Sequence, residues 1–361
     1  MLVPTPAINT VCPASANKEK MVIAGPNSFA INLFDQFLSK NSQAGFNFID
    51  QAVLWSLLQM NVRPDLVSPT ARLQIFINNG ANTSYYDFNA DHYPFLFGLD
   101  LIAKKYAANH QMEGLGKFLK NSFLEIPIAQ DMAQFIVDNS KMLSNVTLQK
   151  YFFKADQPLI TGEALPRLDF VKIIELFRHQ IKSEQSPTHT PSNIPLIPFS
   201  FNQSQVACNA DLQIYQKNIY QISPTINPHY FFALADHQGR FFLAAVSQNL
   251  DAGKDEKSAK TSFIPIMNTF LLKGNADTSP AIFCLVENPG ISSQLALMSG
   301  DDRDPGQHLY HLLNHDLSKT QNLNDVKELI NFARYLFLLN PMRLLFEDAR
   351  SREKQLDRFL S

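Results

Sequence analysis

The chain has 361 residues and a mass of 40.8 kDa, enough for two domains or one large one. Hydrophobic residues make up 45% of it, with 29 Phe, which excludes wholesale disorder. A formal net charge of −2 excludes a general nucleic-acid binder, which needs a basic excess to neutralise phosphates.

The first twenty residues contain Pro4, Pro6 and Pro13 and lack a continuous apolar core, so they do not read as a secretory signal peptide. No stretch reaches the roughly 18 apolar residues of a membrane span. Asn27 and Ser28 cap an expected helix with Phe29, Leu33, Phe34, Phe37 and Leu38 on its apolar face. A second helix is expected over Phe48 to Met60, stopped by Arg63-Pro64-Asp65. A short apolar piece, Leu73 to Ile77, ends at Asn78-Asn79-Gly80. The aperiodic polar and aromatic stretch Ala81 to Pro94 is expected to be an extended surface segment. Helical spacing returns at Phe95 to Ala107, Leu115 to Leu124, Ala129 to Leu143 and Leu168 to Ile181.

Ser183 to Asn193 is polar with two Pro and reads as a linker. Beyond it the apolar period shortens. One hairpin is expected around Gln216-Lys217-Asn218, and a second from His229 to Asp236, through His237-Gln238-Gly239, to Arg240–Ser247. Phe263 to Leu272 and Ala281 to Val286 are further strand candidates. Helices are expected at Gln307 to Leu317 and Asp325 to Leu339, with a last one opening near Pro341. The fold class is therefore α+β, with a mainly helical N-terminal region followed by a mainly antiparallel sheet domain closed by C-terminal helices. The implied domains are 1–183, a linker at 184–194, and 195–361.

The three cysteines, Cys12, Cys208 and Cys284, are widely spaced and odd in number, which fits a reducing cytosol better than a disulfide framework. Cys12 precedes Pro13, a good first helical residue, so its thiol is expected at a helix N-terminus that lowers its pKa. His92 lies some 80 residues on, in an aromatic segment, and is the expected base; His110 is the next choice. Asn109, Ser122 and Asp91 are all candidates for the orienting group. A rival pair is Cys208 with His229, oriented by Asp236 or Gln248. Cys284, within Ile282 to Val286, reads as core filling. Neither GxGxxG nor GxxxxGK[ST] occurs, and no CxxC, so no cofactor or metal is implied. His308, His311 and His315 share a helix without acidic partners and read as a solvated face, and Asp301 to Asp304 reads as a helix-start charge cluster. The final stretch, with Arg343, Arg350, Arg352 and Arg358 among Leu344, Leu345 and Phe359, reads as an amphipathic helix.

A cysteine near the start, a histidine about 80 residues later and a separate C-terminal half resemble the RavD-type effector deubiquitinases of Legionella. The tail Arg358-Phe359-Leu360-Ser361 resembles type IV secretion signals. The resemblance implies a Cys-His-Ser hydrolase acting on Met1-linked host ubiquitin chains, with Cys12 and His92 carried across and Ser122 standing for the family's Ser. It also implies a C-terminal region that recognises phosphoinositide membranes, and delivery into the host cytoplasm without an N-terminal signal peptide. The expected function is thus a secreted cysteine peptidase. The alternative is a non-catalytic effector or adaptor that binds a host protein or a phosphoinositide surface through residues 195–361.

Overall fold

The computed structural model describes residues 21–25, 27–63, 66, 72–88, 94–122, 126–138, 140–143, 149, 152–164, 173–175, 193–201, 204–217, 229–247, 250–252, 270–272, 280–288, 293–300, 305–314, 335–339 and 342–346. In chain order, its elements begin with β1 (Met21–Ala24), α1 (Ser28–Lys40), α2 (Phe48–Val62), β2 (Leu73–Asn78) and β3 (Thr83–Phe88). Next come α3 (Pro94–Lys105), α4 (Met112–Ser122), α5 (Gln130–Asp138), α6 (Ser140–Leu143), β4 (Phe153–Lys154) and β5 (Gln157–Pro158). These are followed by β6 (Ile197–Phe201), β7 (Ser204–Cys208), β8 (His229–Asp236), β9 (Phe241–Ser247), β10 (Leu250–Ala252) and β11 (Phe270–Leu272). The last are β12 (Ile282–Asn288), β13 (Ser293–Ser299), α7 (Pro305–Leu313), β14 (Tyr335–Leu339) and β15 (Met342–Phe346). The described residues fall into two units, one within Asn9–Ile194 and Pro228–Thr278, the other within Pro195–Asn227 and Ser279–Ser361.

The first unit is built on an antiparallel sheet ordered β1-β8-β9-β2-β3. The helices are set by local chemistry. Asn27 caps α1 by accepting from the Ala30 N–H at 3.1 Å, and Asn41 ends it with both its backbone and side-chain N–H groups on the Phe37 carbonyl. In α2, Asn47 and Asp50 form a reciprocal capping box. The body of α2 is apolar nearly all round, and Ala52, Val53, Leu54, Trp55, Leu57, Leu58 and Met60 are all fully buried. Such a helix belongs at the centre of a core. It packs with Phe34 and Phe37 of α1, Leu99 and Ile102 of α3, and Leu115 and Leu119 of α4.

One face of the sheet closes this core through Leu73, Ile75, Ile77, Tyr86, Phe88, Tyr230, Phe232, Leu234, Phe242, Ala244 and Val246. Because strand side chains alternate, the other face carries Gln74, Phe76, Tyr85, Asp87, His229, Phe231, Leu243, Ala245 and Ser247. Every residue of β2 and β9 is buried, which is why Leu-Gln-Ile-Phe-Ile and Phe-Phe-Leu-Ala-Ala-Val lack simple apolar–polar alternation. The β8–β9 turn is fastened by Asp236, whose Oδ1 accepts from the Gln238 and Arg240 N–H groups, with Gly239 in the left-handed region at φ 76°.

The second unit is built on a four-stranded antiparallel sheet ordered β13-β12-β7-β6. Its apolar core joins Phe199, Val206, Ile282 and Val286 of that sheet to Leu212 and Tyr215 of a 3-10 turn and to Leu309 and Leu313 of α7. Cys208 and Cys284, opposed in register on β7 and β12, are joined by a disulfide.

The mixture of helix and antiparallel sheet agrees with the α+β reading, but several expectations change. Among the described residues the N-terminal half is mainly helical, but it also contributes β1, β2 and β3 to the principal sheet. The stretch read as extended and superficial contains β3, whose Tyr85, Tyr86 and Phe88 are buried. The His229 hairpin forms with the expected bounds, yet it pairs with β1 and β2 and so lies in the first unit rather than in a C-terminal domain of its own. The segment Leu212–Lys217 is a 3-10 turn, not a hairpin strand. Tyr335–Leu339, the end of the helix expected over Asp325–Leu339, is instead β14, and it pairs antiparallel with β15 where the last helix was expected to open; residues 325–334 lie outside the described residues. The cysteine reading also changes: two of the three sulfurs are bonded to each other. Among the described residues, no helix is long and apolar enough to cross a membrane.

Candidate functional site

Across the face of the sheet turned away from the helical core, side chains fall into rows set by register. The first row runs from His229 at the head of β8 to its partner Ser247 on β9 and on to Arg72 beside it. The second runs Phe231, Ala245, Gln74, Asp87, and the third Ala233, Leu243, Phe76, Tyr85. Polar chemistry is concentrated at the end where β8 begins, and the face becomes apolar beyond it.

Arg72 and Ser247 are tied twice: the Ser247 N–H donates to the Arg72 carbonyl, and the Arg72 N–H donates to Ser247 Oγ, each at 3.0 Å. The Arg72 guanidinium donates to both oxygens of Asp87, at 2.8 and 2.5 Å, the fork geometry of a strong charge-assisted pair. Burial works against the charge on Arg72, but the hydrogen bond and charge of Asp87 outweigh it, so the guanidinium is held above its ordinary pKa. Gln74 Nε2 donates to the Tyr85 hydroxyl, and that hydroxyl donates to Asp87 Oδ2 at 3.4 Å. Gln74, Ser247 and His229 are buried, whereas the Arg72 and Asp87 side chains keep 12% and 13% exposure. The row therefore has a closed end at β8 and a wetter end at Arg72 and Asp87. On the outer edge, Tyr85 also takes the Ile194 N–H on its carbonyl and gives its N–H to Asn193 Oδ1.

This arrangement can do specific chemistry. Ser247 Oγ already accepts a hydrogen bond, which leaves its own proton to be given away, and an imidazole stands directly opposite. A serine with a neighbouring histidine is the basic unit of nucleophilic acyl transfer. The adjacent Arg72 supplies a fixed positive charge of the kind that stabilises a developing oxyanion.

The residues singled out in the sequence lie elsewhere. Cys12, His92, Asp91 and Gln248 fall outside the described residues. Ser122 is the last residue of α4. His110 is bound to a buried carboxylate, with its N–H on Asp50 Oδ1 at 2.9 Å and its Nδ1 3.3 Å from Oδ2. Asn109 donates to the Gly45 carbonyl, so both residues fasten the loop before α4 to the start of α2. Cys208 is in the disulfide and has no thiol to offer, which removes the Cys208–His229 pair. Asp236 sits in the turn at the far end of β8, occupied with Arg240. Cys284 is buried as expected, but as a half-cystine. Asp301 to Asp304, His315 and residues 347–361 lie outside the described residues. Among the described residues, no group of three His, Cys, Asp or Glu side chains could hold a metal.

Sequence reasoning reached His229 but paired it with the wrong residue, and it missed Arg72, Gln74, Tyr85, Asp87 and Ser247. The available signal was polarity inside apolar strands: Gln74 and Asp87 interrupt runs that are otherwise buried.

No family model matches the sequence, and no curated protein sequence is similar to it. The fold is similar to that of LmbA2991HD, at a TM-score of 0.59 and 10% identity over 88% of this chain and 84% of that one. It is also similar to that of cephalosporin acylase from Bacillus halodurans, at a TM-score of 0.52 and 9% identity over 94% of this chain and 87% of that one. At such identities the shared property is the fold. That likeness spans both units and overturns the resemblance to RavD-type deubiquitinases, and with it the reading of a cysteine peptidase acting on ubiquitin chains. The adaptor alternative gains no support from it.

Proposed function

We propose that the chain is an enzyme of amide-bond acyl transfer, a hydrolase or transpeptidase, with its reaction centre at the polar end of the first unit's sheet. The observation that carries this reading is the direct opposition of His229 and Ser247 on one face, beside the Arg72–Asp87 pair. The likeness to an acylase over nearly the whole chain supports an enzyme of this class.

In this reading Ser247 Oγ attacks the scissile carbonyl and its proton passes to the His229 imidazole. The carbon–oxygen bond forms as the carbonyl π pair moves onto oxygen, where Arg72 offsets the charge. Collapse of that adduct breaks the carbon–nitrogen bond, and His229 returns the proton to the leaving amine. Water or a second amine then takes the acyl group from Ser247.

The acylase-like fold favours a second reading. In enzymes that use an N-terminal nucleophile, a cut in the backbone exposes a hydroxyl or thiol residue whose own α-amine serves as base. The sequence leading into β8 contains Ser223 and Thr225, the hydroxyl residues nearest to that strand's start.

Hydrolysis of a panel of chromogenic acyl amides separates these readings. Ser247→Ala and His229→Ala are each expected to lower kcat/KM by about a thousandfold or more, with intact mass showing an uncut chain. A cut chain whose turnover is lost in Thr225→Ala or Ser223→Ala supports the second reading. An uncut chain with undiminished turnover in Ser247→Ala and His229→Ala removes both.

A further inference from the structure

We infer that the second unit is completed by oxidation, so that the chain reaches its working fold in an oxidising compartment. The observation is independent of the acyl-transfer reading. Cys208 closes β7 and Cys284 lies near the start of β12, at directly opposed register positions, with their Cα atoms 4.1 Å apart and their sulfurs bonded. Both residues are completely buried among Phe199, Val206, Val286 and Leu309, where no thiol in solution reaches them without opening the unit.

The bond joins residues 76 apart in sequence, and closing a long loop is where a cross-link most restricts the unfolded chain. The same seam continues past the sulfurs. Asn209 exchanges hydrogen bonds with Phe283, giving its N–H to the Phe283 carbonyl at 3.1 Å and accepting the Phe283 N–H on Oδ1 at 2.8 Å. Its Nδ2 donates to the Ala281 carbonyl at 3.0 Å. Beneath this seam, Tyr215 and Ile282 press so closely on α7 that Gly306 has no space for a side chain. The seam therefore sets where the α7 layer sits. Among the described residues the unit's apolar core is small beside that of the first unit, and small cores are the ones that use covalent staples. The chemistry is a two-electron oxidation. Each thiol gives up a proton and an electron, and the acceptor is a small-molecule or protein disulfide. Exchange runs through a mixed disulfide and ends with the acceptor as two thiols. Persistence of the product is a property of oxidising compartments and not of a reducing cytosol.

The test uses the full chain produced in an oxidising and in a reducing host compartment. Free thiols are alkylated in denaturant and located by peptide mass, and limited proteolysis follows residues 195–217 and 280–314. Material from the oxidising compartment is expected to carry no label at Cys208 or Cys284, with Cys12 the remaining alkylatable cysteine. Reduction with dithiothreitol in mild denaturant, which opens the unit, followed by dilution is expected to speed cleavage within those segments about tenfold or more and to leave cleavage within residues 27–122 unchanged. The Cys208→Ser/Cys284→Ser double variant should be cleaved at the reduced rate with or without dithiothreitol. Label at both cysteines in material from the oxidising compartment overturns the inference. So does a cleavage pattern that this reduction leaves untouched.

Discussion

His229 and Ser247 are direct cross-strand partners at the start of β8 and the end of β9, both buried, on the face of the sheet turned away from the helical core. Opposed residues of an antiparallel pair hold their Cβ atoms about 4.5–5.5 Å apart, so these two side chains start from neighbouring positions on one face, with the imidazole stacked on Phe231 at 5.8 Å. Ser247 also has a structural duty, because its Oγ accepts the Arg72 N–H. Ser247→Ala leaves that amide without its acceptor, and urea unfolding should show a loss of about 1–3 kcal/mol. Ser247→Thr keeps the acceptor and should recover most of it. Equal stability of all three proteins would show that another group takes the Arg72 N–H.

Asp87 holds a guanidinium that is mostly buried. Removing the carboxylate strands that charge, whereas an amide still accepts hydrogen bonds. Asp87→Ala is expected to destabilise the chain by about 2 kcal/mol, discounted for the remaining exposure of the pair, and Asp87→Asn by less. The contrast is read from denaturant midpoints at low and high salt. If the alanine variant is as stable as the parent, the pair does not lock β2 to β3.

Asp50 joins two structural tasks, closing the capping box of α2 and receiving the His110 N–H from the loop before α4. Asp50→Ala should cost about 2–3 kcal/mol, since a cap and a buried charged acceptor are lost together. Asn47→Ala, which removes the cap acceptor, should cost about 1 kcal/mol. Similar losses in the two variants would show that the His110 bond contributes little.

Gly98 in α3 faces β2 and β3 so closely that an added Cβ would lie 2.7 Å from Leu73 Cδ2 and 3.0 Å from Phe88 Cε2. Both neighbours are fully buried and have little room to yield. Gly98→Ala should therefore lower stability by about 1–3 kcal/mol despite the better helix propensity of alanine. Gly114→Ala in α4, where nothing lies within 4 Å of the new carbon, is the control and should be neutral or stabilising. A stable Gly98→Ala protein would mean that α3 sits farther from the sheet.

Tyr106 donates or accepts in a 2.9 Å hydrogen bond with the Tyr86 hydroxyl. Burial pushes its phenol up from 10.0 to about 12, and hydrogen bonding with Tyr86 adds to this. A folded-state pKa raised above the unfolded one contributes stability that is fully present below pH 10 and is lost as pH rises toward 12. Alkaline titration followed by tyrosinate absorbance should show a late-ionising phenol that Tyr106→Phe removes. The parent chain should lose stability faster than the variant above pH 10. Superimposed curves for the two proteins would rule out this linkage.

The sequence by itself determined the local elements. Asn27 and Asn47 mark helix starts because a short polar side chain can take the first unpaired N–H groups. The His229 hairpin was legible because its turn residues and apolar strands agree. Part of what it misjudged has one physical cause. β2 is covered on both faces, so its residues show no clean two-residue period, and β3 reads as polar because Asp87 and the Tyr85 hydroxyl are bonded by Arg72 and Gln74 from the neighbouring strand side. The pairing of β8–β9 with strands from the first hundred residues, the row His229–Ser247–Arg72 and the bond between Cys208 and Cys284 are all long-range juxtapositions. Tertiary structure alone decided them, because hydrogen-bond register and burial choose which distant residues meet, and neither is encoded in the spacing along a single stretch of chain.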